Sequence, residues 1–149
     1  MVVLPGSTIS LPAIQIPKGQ TSASNAWSPF GYVTVRLTEP MSVLRVHVRA
    51  GAAASTSASL ARGAGSWGRW LAIGDGVHTR EEYQALHALP GGFSHQDEWT
   101  LPTSTILNVG IAGPLFGHPG GAPQGEWLSG PTPTQAPLAG FWSSRAGRA

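Results

Sequence analysis

The side chains able to do chemistry are few, and their spacing is uninformative. Five histidines stand at His47, His78, His87, His95 and His118. None follows another at the H-x-H or H-x-x-x-H spacing that puts two imidazoles on one face of a strand or helix, so no metal site is expected. There is no Cys, which excludes disulfides, thiolate zinc sites and cysteine nucleophiles. Asp75, Asp97, Glu98 and Glu126 are the acids outside the first strand pair and the expected helix. Two of them could form the carboxylate pair of a glycoside hydrolase, but no spacing selects a pair. Asp75 reads as a turn residue, and Asp97 and Glu98 as solvated acids. Calcium would need loop oxygens in an EF-hand-like spacing, which is absent. Gly63-Ala64-Gly65-Ser66-Trp67-Gly68 fits G-x-G-x-x-G literally. A dinucleotide site needs a strand before it and a helix after it, whereas here a low-complexity stretch leads into a strand. Ser66 departs from the G-x-S-x-G elbow at the first glycine. No catalytic residue, metal or cofactor is assigned, and the chain is read as non-enzymatic.

Binding chemistry is better represented. Six tryptophans, Trp27, Trp67, Trp70, Trp99, Trp127 and Trp142, would serve as core, as interface anchors or as stacking platforms for sugars. Most are expected in the core. Trp67 and Trp70, three residues apart, point to opposite sides of a regular strand. Trp67, Trp70 and Trp127 are the candidate contacts. A second set comes from the polar phase of the first strand pair: Tyr32, Thr34, Arg36, Arg45, His47 and Arg49. A merely solvated face is the ordinary reading of such a set.

These residues must be positioned by short strands. Val33, Val35 and Leu37 alternate with Tyr32, Thr34, Arg36 and Thr38. Beyond Glu39-Pro40, Leu44, Val46 and Val48 alternate with Arg45, His47 and Arg49. Period-2 amphipathicity on both sides of a Pro-containing turn predicts an antiparallel pair. Ile9 and Leu11 lie on one strand phase and Ile14 and Ile16 on the other, with Pro12 at the switch. That pattern predicts a bulge, a crossing between sheets or two edge pieces. Further strands are expected at 67–73, 107–111, 126–128 and 138–142. Thr79-Arg80-Glu81-Glu82 is a capping box, and Tyr83, Leu86 and Leu89 follow at helical spacing, so one short helix is predicted near 80–89. Residues 51–66 lack an amphipathic stripe and read as a flexible loop. Residues 117–125 read as a Gly/Pro loop.

Composition supports this picture. The chain has 149 residues, 41% of them hydrophobic and 11% charged, with 20 Gly and 13 Pro. That much Gly and Pro argues against a helical bundle. The net charge of +2 rests on nine dispersed Lys and Arg residues, which argues against nucleic-acid binding. The start lacks the basic and apolar regions of a signal peptide, and the uncharged stretch 99–125 is too rich in Pro, Gly and Thr for a membrane helix. A soluble chain made in the cytoplasm is expected. The predicted fold class is all-β: an antiparallel β-sandwich or jelly roll with one short helix and extended N- and C-terminal arms. Residues 1–28 are expected as an arm, 29–142 as the sandwich domain, and 143–149 as a disordered tail.

Ile106-Leu107-Asn108-Val109-Gly110-Ile111-Ala112-Gly113-Pro114, with Gly120-Gly121 and Gly125-Glu126-Trp127-Leu128-Ser129-Gly130-Pro131, resembles small accessory proteins of tailed-phage-like particles and gene transfer agents. These are head decoration, spike-base and fibre-associated proteins. The resemblance implies a virion-type structural protein that assembles as a homo-oligomer on a capsid, spike or fibre. Arms that gain order on a neighbouring subunit fit that role. The alternative is a carbohydrate-binding β-sandwich that uses exposed Trp residues on surface glycans.

Overall fold

The computed structural model describes residues 1–47, 70–73, 80–88 and 95–135. The expected loop 51–66, the strand at 138–142 and the tail 143–149 lie outside the described residues. So do Trp67, Trp142, Arg49 and the side chain of His47.

Among the described residues ten strands form in chain order: β1 Val2–Val3, β2 Ser10–Leu11, β3 Ala13–Ile16, β4 Trp27–Leu37, β5 Met41–His47, β6 Trp70–Ala72, β7 His95–Leu101, β8 Ile106–Ala112, β9 Pro123–Ser129 and β10 Thr134–Gln135. A 3-10 turn, Ser24–Ala26, precedes β4, and helix α1, Arg80–His87, lies between β6 and β7. Strands β1 and β2 make a two-stranded ribbon. The other eight form one antiparallel sheet in the order β10-β7-β5-β6-β9-β8-β4-β3. Residues from both halves of that sheet meet in one core: Ala13, Val35 and Leu37 from the β3–β4 side, Val43, Trp99 and Leu101 from the β5–β7 side. Leu107, Val109 and Trp127 lie between them, and Val2, Leu4 and Leu11 from the ribbon join. The fold is all-β and sandwich-like, as the alternation predicts.

The phase switch at Pro12 is a crossing between sheets. Leu11 ends the ribbon, and Ala13 begins the edge strand of the large sheet. Residues 1–28 are therefore not a free arm. They supply the ribbon, the edge strand and four buried apolar side chains of the core, Val2, Leu4, Leu11 and Ala13. The expected β4–β5 hairpin is also absent. β4 pairs with β3 and β8, and β5 with β6 and β7. Alternation shows that a strand has one buried face but carries no information on its partner. Here the end of β4 is held elsewhere: Leu37 N–H donates to the Thr105 carbonyl and Thr38 N–H to the Pro12 carbonyl.

Helix α1 has Glu81 and Glu82 in its first turn, where the helix dipole favours negative charge. It buries Tyr83 and His87. Its last carbonyls are used by the chain entering β9: Gly120 N–H donates to Ala85 and Ala122 N–H to Leu86. The expected Gly/Pro loop over 117–125 is correspondingly shorter, because β9 already begins at Pro123. Strand β7 was hidden by its sequence, since only Trp99 and Leu101 in it are strongly apolar.

Removing residues 1–28 strips the edge strand and part of the core. The truncated chain is expected to show no cooperative thermal transition by circular dichroism. A sharp transition near that of the full chain would contradict this.

Candidate functional site

The sheet presents its other face to a second layer, and that face is polar. Register places Thr34, Asn108, Glu126 and Trp70 in one row across β4, β8, β9 and β6. The next row holds Tyr32, Gly110, Gln124 and Ala72. Residues 18–26 run over these rows as a strap fastened almost wholly by polar contacts. Gly19 N–H donates to Thr34 Oγ1 at 2.7 Å, and the Tyr32 hydroxyl donates to the Gly19 carbonyl at 2.7 Å. Asn108 Nδ2 donates to the Gln20 carbonyl at 2.9 Å, and Gln124 Nε2 to the Ala26 carbonyl at 2.9 Å. Lys18 Nζ lies 4.3 Å from the centre of the Tyr32 ring.

Glu126 is the centre of this arrangement. It is 1% exposed, and its two carboxylate oxygens accept four hydrogen bonds. The Thr21 hydroxyl and Asn108 Nδ2 donate to Oε1 at 2.8 and 3.0 Å. The Ser22 backbone N–H and hydroxyl donate to Oε2 at 2.8 and 2.5 Å. Asn108 is oriented in turn by the Thr34 hydroxyl, which donates to its Oδ1 at 2.7 Å. A buried carboxylate is tolerated when its lone pairs are satisfied in this way. The polar run Thr21–Ser28, which reads as loop in the sequence, is the part of the chain that satisfies it.

The strap also sets two indoles. Trp27 Nε1–H donates to Thr21 Oγ1 at 3.0 Å. The Trp27 ring packs on Trp70 with centroids 5.2 Å apart, and stacks on Tyr32 at the same separation. It lies so close over β8 that a Cβ at Gly110 would stand 3.0 Å from the ring and 2.7 Å from the Gly31 carbonyl. Only glycine fits there.

The expected contact residues divide differently from the sequence reading. Arg45 does not share a polar face with Tyr32, Thr34 and Arg36. The inward phase of β5 is Val43 and Arg45, 2% and 4% exposed, while Leu44 lies half-buried on the polar side. Both phases of β5 carry apolar residues, so alternation alone chose the wrong one. Trp127 is buried in the core opposite Leu107 and offers no contact surface. Trp70 is half-buried against Trp27. Among the described tryptophans none is exposed, and the exposed aromatics are Phe30 and Phe116.

Arg45 is the unusual residue on the core side. Its Nη1 donates to the Trp70 carbonyl at 3.1 Å, the one acceptor it meets among the described residues. Burial pushes its pKa down to about 10, opposed by the nearby Tyr83 phenol of α1. Tyr83 in turn packs on His87, with ring centroids 4.6 Å apart. Register sets Arg45 across from Asp97, whose side chain lies outside those described. A guanidinium is a planar fork of five N–H donors suited to bidentate binding of carboxylate or phosphate. Among the described residues no group of three His, Asp or Glu side chains converges to hold a metal ion, and no helix is long and apolar enough to cross a membrane.

A scan against protein-family models finds no match for the chain. A search of curated proteins also finds none. Among solved structures, one chain of the structure of Tne2 in complex with Tni2 is similar, with a TM-score of 0.56 and 18% sequence identity. The alignment covers 76% of this chain and 100% of that one. At this identity the likeness is one of fold.

Replacing Glu126 with Leu leaves the donors of Thr21, Ser22 and Asn108 facing an apolar group. A loss of about 3–5 kcal/mol in urea unfolding is expected. A loss below about 1 kcal/mol would mean that the strap holds without the carboxylate.

Proposed function

We propose that this chain binds a small oxyanion, a phosphate- or carboxylate-bearing molecule, through the Arg45 guanidinium where β5, β6 and α1 meet. The single observation that carries this reading is a guanidinium 4% exposed that meets one carbonyl acceptor among the described residues. Arginine is almost never fully buried unless paired. The depressed pKa expresses the cost of taking this charge out of water, on the order of 3 kcal/mol. Because the folded value lies below the ordinary one, the charged form is the disfavoured one. The penalty is present throughout the neutral range and falls away only as pH rises through about 10. A bound oxyanion would offset the penalty with charge-assisted hydrogen bonds. Tyr83, packed on His87, lies on the α1 side of the guanidinium.

A second reading is attachment to a larger partner, as a homo-oligomer or on the capsid, spike or fibre of a phage-like particle. What favours a protein partner is the exposure of Phe30, at 71%, and of Phe116, at 58%. Phe116 is held at φ 53° in a tight turn, a conformation unusual for a bulky residue. The similar solved structure is itself a complex of two proteins. Nothing in the fold or the comparisons adds support for a virion, and the packing of residues 1–28 removes the adhesive arm that motivated it.

Calorimetric titration with inorganic pyrophosphate tests the first reading. Saturable binding is expected at pH 7, weakening as pH is raised past about 10. Arg45→Met is expected to abolish binding while raising the melting temperature of the ligand-free protein. Absence of saturable binding by the wild type, with a native mass of several chains, would favour the second reading and overturn the first.

A further inference from the structure

We infer that Glu126 and Thr21 are positioning residues for Arg45, acting through the Trp27–Trp70 pair; this rests on the reading of Arg45 as the ligand-binding group. The two features lie on opposite faces of one sheet, and Trp70 belongs to both. Its ring is on the polar face, across from Glu126 in the β6–β9 register, and its carbonyl accepts from Arg45. The connection can be followed contact by contact. Glu126 Oε1 accepts from the Thr21 hydroxyl, and Thr21 Oγ1 accepts from the Trp27 indole N–H. The Trp27 ring then packs on the Trp70 ring.

β6 needs such support. Among the described residues it has three residues and one register pair with β5, Leu44 with Ala72. Its ladder with β9 runs from Trp70 to Ala72, with Trp70 paired to Glu126. The backbone there carries the acceptor that aims the guanidinium. A binding group holds its geometry only when the groups around it are themselves locked by packing and hydrogen bonds. Here the lock is the Trp27 ring, pressed over Gly110 and fixed at its nitrogen by Thr21. Thr21 is the suitable point of test. Glu126 keeps its three other donors if the Thr21 hydroxyl is removed, so the strap stays fastened while the link to Trp27 is cut.

The full chain carrying Thr21→Val or Thr21→Ser is compared with wild type, with arginine side chains labelled with nitrogen-15. In wild type, Arg45 is expected to give a slowly exchanging guanidinium signal that is missing from Arg45→Lys. Thr21→Val is expected to speed its solvent exchange and to change the near-ultraviolet circular dichroism of the indoles. Thr21→Ser, which keeps the hydroxyl, is expected to restore both. Pyrophosphate affinity is expected to fall about tenfold in Thr21→Val and to be retained in Thr21→Ser. If the indole spectrum changes while Arg45 exchange does not, the link is overturned. If exchange responds while wild type binds no pyrophosphate, the positioning role stands and the oxyanion reading fails.

Discussion

The structure depends on one buried carboxylate. Glu126 sits on the polar face of the sheet at 1% exposure, and four donors converge on it. Three of those four come from Thr21 and Ser22, so the charge on β9 dictates where residues 18–26 must lie. The strap in turn covers a face that would otherwise be open, fixes Trp27 over Gly110 and feeds directly into β4. A satisfied buried polar network is costly to disturb, because each group removed leaves another without its partner. The N-terminal segment is tied to the domain at both of its faces, with Leu4 and Leu11 in the core and Thr21 and Ser22 on Glu126.

Arg45 is the opposite case. Glu126 is surrounded by donors, whereas the guanidinium has a single carbonyl acceptor among the described residues, and burial pushes its pKa down to about 10. Residues that weaken a fold in this manner collect where something is bound. The contrast, among the described residues, between a carboxylate with four donors and a guanidinium with one acceptor is the reason to place the binding chemistry on the core side of β5.

Fold class was legible in the sequence because period-2 alternation in 33–37 and 107–111 reports a half-buried strand directly. The Pro12 phase switch likewise reported a break in the strand, though not which of a bulge, a crossing between sheets or two edge pieces it is. Strand pairing was not legible, since Leu37 and Met41 belong to partners far away along the chain. β7 was missed because His95-Gln96-Asp97-Glu98 carries no apolar phase. The site was the least legible part. Arg45 has apolar neighbours at both Val43 and Leu44, so its inward direction could not be read. Glu126 looked like any acid beside a Trp, and its donors came from a Ser/Thr-rich stretch with the composition of an ordinary loop. Tertiary burial of a polar residue leaves no local signature when its partners are about a hundred residues away along the chain.

The most direct test of the oxyanion assignment is a crystal structure of the full chain grown with tungstate, an oxyanion located by its anomalous scattering. The account predicts a tungsten peak within hydrogen-bonding reach of both Arg45 terminal nitrogens. A guanidinium paired instead with the Asp97 carboxylate, and tungstate elsewhere or nowhere, would contradict it.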